Sequence, residues 1–149
     1  MRAVLQRVSR AKVTVDGAAT GEIGKGLLIL LAVGTGDVEA DAVQLIDKII
    51  NLRIFDDENG KMNRSIIDIE GELLVVSQFT LYADVRKGRR PSYVGAAPPA
   101  EANRLYEFFV GHCARHVSKV ATGKFQAMMD VELVNDGPVT IILDTSQLK

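Results

Sequence analysis

Apolar residues alternate with polar ones from Met1 to Val8 and again from Ala11 to Val15, the two-residue period of strands with one buried face. Asp16-Gly17 follows as a hairpin signal, so Ala18 to Ile23 is expected to return antiparallel. After Gly24-Lys25-Gly26, the run Leu27 to Val33 is almost continuously apolar and predicts a central strand buried on both faces. Ala42, Leu45, Ile46, Ile49 and Ile50 then recur at three- and four-residue spacing, predicting a helix with Asp37 as N-cap and an end near Leu52. Ile66 to Ile69 and Leu73 to Asp84 read as further strands. Pro98-Pro99 can open a second helix over Ala100 to about Lys119, with Leu105, Phe108, Phe109, Cys113 and Val117 on its buried face. Phe125 to Met129, Val131 to Val134 and Val139 to Leu143 read as closing strands.

This order of elements predicts one mixed α/β domain over residues 1–149, with two main helices packed on sheets. The chain has no internal repeat or linker, and 47% apolar with 25% charged residues is ordinary for a globular domain. A formal net charge of −1 means that any attraction to nucleic acid must come from a local patch. The single cysteine, Cys113, excludes an intrachain disulfide and suits a packing role in a reducing compartment. With no secretory signal and no apolar run of bilayer length, a cytoplasmic protein without membrane contact is expected.

Candidate chemistry concentrates in two stretches. The first is LLVVSQFTLYAD, where Ser77, Gln78 and Thr80 interrupt an apolar run; buried polar groups need partners, which a substrate or neighbouring loops could supply. In a strand, Ser77, Phe79 and Leu81 would face one way and Gln78, Thr80 and Tyr82 the other. Ser77 and Thr80 are possible nucleophiles, but no Gly-x-Ser-x-Gly elbow surrounds them. The amide of Gln78 and the backbone N–H groups of Phe79 and Thr80 could polarise a carbonyl if the strand ends or bends there. The second stretch is NDGPVT, where Gly137 permits an unusual φ and Pro138 is the residue type for which a cis bond is affordable.

Arg86, Lys87, Arg89 and Arg90 cluster around one glycine just after the first stretch, the kind of patch that phosphate contacts require. Gly34-Thr35-Gly36-Asp37 lacks the Gly-Lys-Ser/Thr ending of a phosphate loop, and Asp56 to Gly60 fails the calcium-loop spacing. His112 and His116 stand four apart, but Cys113 occupies the place of the glutamate in a zinc-protease motif and no third ligand lies at recognisable spacing. No metal and no cofactor is expected.

Taken together, SQFTLYAD and NDGPVT, with MRAVLQRVSRAKVTVDG, GEIGKGLL, NLRIFDDENGKMNRS, RKGRRPS and GAAPP in that order, resemble the D-aminoacyl-tRNA deacylase family over the whole chain. The resemblance implies a layered, barrel-like homodimer that hydrolyses D-aminoacyl-tRNA, with glycyl-tRNA as a further substrate because glycine has no side chain to reject. It implies that Ser77 to Thr80 of one subunit meet Gly137-Pro138 of the other, that this peptide bond is cis, and that its carbonyls exclude L-amino acids. Met129, Asn135 and Arg7 are implied as lesser pocket residues, Arg7 as a buttress of the Gly-Pro turn. Arg86, Lys87, Arg89 and Arg90 are implied to contact the tRNA acceptor end, and the Lys61 to Ser65 segment to lie near the substrate. Attack assisted by the terminal 2′-hydroxyl of tRNA is favoured over a protein nucleophile. Two rival readings remain: a non-catalytic nucleic-acid-binding module, and a hydrolase of small D-amino-acid compounds that ignores RNA.

Overall fold

The structure is a computed structural model that describes residues 1–148. The expected pair of opening strands is one long strand, β1 (Arg2–Val15), since the residues between the two alternating runs continue the ladder through register shifts. It turns at Asp16-Gly17, both in the left-handed region, into β2 (Ala18–Ile23). Strand β3 (Gly26–Ala32) pairs antiparallel with β1 and parallel with β6 (Glu72–Ser77), and β6 pairs parallel with β7 (Val120–Thr122). The last strand, β8 (Asp130–Asp144), lies antiparallel along almost the whole of β1. The sheet order is β2-β1-β3-β6-β7 with β8 added at β1. The free edges curl together: a Cβ on Gly21 of β2 would collide with the backbone of Thr122 on β7, so glycine there permits the nearly closed barrel.

The continuous apolar run of β3 has the burial it predicted. Leu27, Ile29 and Leu31, with Leu73 and Val75 of β6, face a core shared with both helices. Leu28, Leu74 and Val76 face a smaller core inside the barrel, with Val8, Val13 and Ile23. Helix α1 (Glu39–Asn51) buries all five residues that its periodicity singled out and is capped at Leu52. Its N-cap is Val38, not Asp37: the Asp37 carboxylate turns back to accept the Gly34 N–H at 2.6 Å, and Asp41 accepts that of Val38 at 2.8 Å. Strands β4 (Phe55–Asp56) and β5 (Met62–Arg64) form a small hairpin.

Several expected elements differ. Ile66 to Ile69 is a turn, held by reciprocal bonds between Ser65 and Asp68 that end the chain's extension. Helix α2 (Pro99–Cys113) stops short of Lys119, because the chain leaves it through a turn that seats Val117 in the core before β7. Phe125 to Met129 is likewise a turn, with Gln126 at φ 63°. Cys113 is fully buried, which pushes its thiol up to about 12, so its role is packing. The Tyr106 hydroxyl of α2 donates to the Val75 carbonyl at 2.7 Å and ties the helix to β6 beside the candidate site.

Candidate functional site

The strand expected over Leu73 to Asp84 ends at Ser77. Phe79–Tyr82 is a 3-10 turn instead, so the expected alternation of Ser77, Phe79 and Leu81 against Gln78, Thr80 and Tyr82 does not hold. The last ladder contact is the Gln78 N–H donating to the Leu31 carbonyl at 2.7 Å. Beyond it the backbone coils, with Leu81 N–H donating to Gln78 O and Ala83 N–H to Thr80 O. The amides of Phe79 and Thr80 open this turn and, among the described residues, have no hydrogen-bond acceptor. The side-chain amide of Gln78 donates to Thr80 Oγ1, which fixes both polar groups against each other.

Ser77, Gln78 and Phe79 form one wall of a cavity of about 750 Å³. The segment Ala96 to Pro99 forms a second wall and Phe125 to Met129 a third. Most of the lining is apolar, with Gln78 and Ser77 among its few polar groups, the make-up of a site that buries a ligand's body and orients its polar end. Phe79, 54% exposed, meets Tyr93 edge to face with ring centres 5.1 Å apart. Met129 belongs to the third wall. The Ala96 to Pro99 segment and the Phe125 to Met128 turn are lining that the sequence reading missed. The available signal was apolar residues in and beside these loops, of which Val94 and Met128 are among the most exposed large apolar side chains.

The second stretch lies elsewhere on the same chain. Strand β8 pairs Asn135 with Val8 and Thr140 with Gln6, so that residues 136–139 bulge out opposite Arg7 alone. Gly137 and Pro138 are exposed, Gly137 has φ 118°, and the bond between them is cis. Arg7, only 7% exposed, underlies the bulge: its Nε donates to the Asp136 carbonyl at 3.3 Å and its Nη1 to the Ile54 carbonyl at 2.9 Å. The carboxylates of Asp56 and Asp136 balance its charge, each at 3.3 Å. Asn135 spends its side chain inside the same knot, donating to Arg7 and Val139 carbonyls and accepting from Thr140 Oγ1. Neither Gly137 nor Pro138 lines the cavity that Ser77 to Phe79 line in the same chain.

The basic residues occupy an exposed loop closed by the Asp84 and Ser92 backbone bridge. Arg86 is turned back onto Asp84 in a two-pronged pair at 2.9 and 2.8 Å, and this bond holds the Asp84 carboxyl down to about 2. Lys87, Arg89 and Arg90 form no ion pair among the described residues. His112 stacks on Phe108 and neither histidine lines the cavity. Among the described residues, no group of three His, Cys, Asp or Glu could hold a metal ion and no helix is long and apolar enough to cross a membrane.

Residues 4–144 match the family described as D-Tyr-tRNA(Tyr) deacylase. The chain is 62% identical over 148 residues to the D-aminoacyl-tRNA deacylase of Thermosipho africanus (strain TCF52B), with 99% of each chain covered. It is 61% identical over 147 residues to that of Clostridioides difficile (strain 630), again over 99% of each. Among solved structures it is similar to the c-Myc DNA Unwinding Element Binding Protein, with a TM-score of 0.92 and 41% identity over 97% of this chain and 98% of that one.

Proposed function

The chain belongs to the D-Tyr-tRNA(Tyr) deacylase family, and from that premise we propose that it hydrolyses the ester between a D-amino acid and the 3′ end of tRNA. It is a hydrolase of chiral proofreading in translation: water adds its oxygen to the acyl carbon, the ribose oxygen leaves with a proton, and free amino acid and tRNA result. The observation that carries the reading is the break at Ser77, which leaves the Phe79 and Thr80 amides unpaired, Phe79 in the wall of an apolar cavity and Thr80 next to it in the chain. Two adjacent donors without acceptors can receive a developing oxyanion, and one such donor supplies about 10²–10³ in rate.

The nucleophile is water, aided by the terminal 2′-hydroxyl of the tRNA. Thr80 Oγ1 is already engaged by Gln78, and no histidine stands at the cavity to take its proton. Thr80 and Gln78 therefore position the ester, and Ser77 and Phe79 complete that wall. The apolar lining, with Phe79 and Tyr93 at its mouth, suits the unstacked end of an acceptor strand. Lys87, Arg89 and Arg90, with Arg86 where it lets go of Asp84, bind the phosphates behind that end.

The working unit is a homodimer in which Gly137-Pro138 of a second copy faces the Ser77 to Thr80 turn. This is supported by the absence of both residues from their own chain's cavity and by the effort spent in holding an exposed bulge rigid. That rigid backbone rejects an L side chain and admits a D-residue; glycine escapes the filter, so glycyl-tRNA is cleaved too. Arg7 and Asn135 act by holding the bulge and Met129 by lining the cavity. A reducing cytoplasm, where tRNA is charged, suits the lone buried cysteine.

The similarity to a protein named for binding DNA favours one rival, a nucleic-acid-binding module without turnover. Rates on D-aminoacyl-tRNA, L-aminoacyl-tRNA and a free D-amino-acid ester decide between them. Fast cleavage of the first alone is expected; binding of the first without cleavage would establish the rival, and equal cleavage of the free ester would make RNA irrelevant.

A further inference from the structure

We propose that Arg2, outside both motifs, is a positioning residue for this reaction: it holds the 3-10 turn that presents the Phe79 and Thr80 amides against the end of β8. The inference rests on the deacylase reading. No residue of the turn is fully buried, and its N-cap residue Gln78 makes no side-chain capping bond. Packing alone therefore leaves it loosely placed, while two amides aimed at one oxygen need a fixed direction. Apart from the adjoining Gln78, whose amide reaches Thr80 Oγ1, Arg2 is the one side chain among the described residues that hydrogen-bonds to the turn from elsewhere in the fold: Nη1 donates to the Leu81 carbonyl at 3.0 Å.

The same guanidinium is itself pinned. Its Nε donates to Asp144 Oδ2 at 2.9 Å, and its Cζ lies 4.4 Å from the centre of the Tyr82 ring. Arg2 and Asp144 are direct partners in the β1 and β8 ladder, so the strand that carries Gly137-Pro138 anchors the clamp. Tyr82 also rests where no side chain could stand, since a Cβ on Gly34 would lie 2.6 Å from Tyr82 Oη. Gly34 bridges Ala96 in the second wall of the cavity. Tyr82 thus touches both the guanidinium and the Gly34 backbone that bridges to that wall, which ties turn and wall together. A lysine could reach the Asp144 carboxylate or the Leu81 carbonyl, but its point charge lacks the planar fork that serves both and stacks on a ring.

The experiment uses the full chain and D-tyrosyl-tRNA. The Arg2 side chain is 41% exposed, so Arg2→Met opens no buried hole and the variant is expected to fold. A drop in kcat of about tenfold with KM within about twofold is expected, since misplaced donors weaken transition-state binding more than substrate binding. Arg2→Lys should recover part of the loss. Arg104→Gln, which breaks exposed ion pairs to Glu39 and Glu101 and removes no bond to the turn, should lower the melting temperature without changing kcat. Should Arg2→Met fail to fold, Asp144→Asn replaces it, with a smaller kcat loss in the same direction. As a measure independent of turnover, the NMR resonances of the Phe79 and Thr80 amides should shift in Arg2→Met and stay put in Arg104→Gln. Unmoved amides, or an unchanged kcat in an active Arg2→Met enzyme, would overturn the proposal. Wild-type protein that leaves D-tyrosyl-tRNA intact would overturn the deacylase reading instead, with the amide shifts still reporting on the clamp.

Discussion

The Nδ2 group of Asn135 donates to the Arg7 carbonyl at 2.9 Å and to the Val139 carbonyl at 3.0 Å, so a single amide closes the base of the bulge that carries Gly137 and Pro138. Asn135→Ala strips two carbonyls of their donor. A loss of about 1–3 kcal/mol in denaturant unfolding is expected, together with faster cleavage of L-aminoacyl-tRNA as the bulge loosens. Unchanged stability and unchanged chiral selectivity would remove Asn135 from the account.

Gly137→Ala should be worse tolerated than any neighbouring change. At φ 118° an L side chain is strained, and its Cβ would stand 2.9 Å from Val139 Cγ2 and 3.0 Å from Arg7 Nη2. A cost of about 1–3 kcal/mol follows from the backbone conformation alone. The deacylase assay should show slower D-aminoacyl-tRNA cleavage or weaker rejection of the L-form; a variant equal to wild type in both would defeat the exclusion mechanism.

Thr80→Ala separates a nucleophile from a scaffold. Because Thr80 Oγ1 is tied to the Gln78 amide, its removal should disorder Gln78 and slow turnover by about tenfold, not down to the uncatalysed rate. Activity of the wild type should collapse on tRNA lacking the terminal 2′-hydroxyl. A Thr80→Ala variant with no catalysis, together with full activity on the 2′-deoxy substrate, would assign the attack to Thr80.

Binding of tRNA should weaken with salt less steeply than four free cations would require. With Arg86 held on Asp84, three phosphate contacts give a slope of log affinity against log salt of about −2 by the single-strand rule. Asp84, whose carboxyl is held down by the Arg86 side chain to about 2, stays ionised as pH falls from 7 to 5, so the slope should not change over that range. Replacing Lys87, Arg89 and Arg90 by alanine should flatten it. A slope that survives the triple replacement would place the phosphates elsewhere.

Sedimentation at micromolar concentration should find a dimer, since the cavity lacks the Gly-Pro segment of its own chain. A fully active monomer would contradict the proposed site.

Local pattern was sufficient for what depends on neighbours along the chain. The two-residue period of β1, the doubly buried run of β3 and the five-residue stripe of α1 are all read from spacing, because burial of one face or two leaves a periodic trace. Family resemblance pointed to Ser77 to Thr80 and Gly137-Pro138 for the same reason: their residues are contiguous. What tertiary structure decided are relations between distant segments. Leu73 to Asp84 reads as one strand, yet its ladder ends at Ser77 because the β3 partner ends beside it and the backbone must coil. The walls at Ala96 to Pro99 and Phe125 to Met129 join across long stretches of sequence, with no periodic mark to announce it. Arg7 and Arg2 lie in an ordinary alternating strand; only the pairing of β1 with β8 sets Arg7 beneath the bulge and Arg2 beside Asp144. A side chain's partners across a sheet depend on register, and register is chosen by the whole fold.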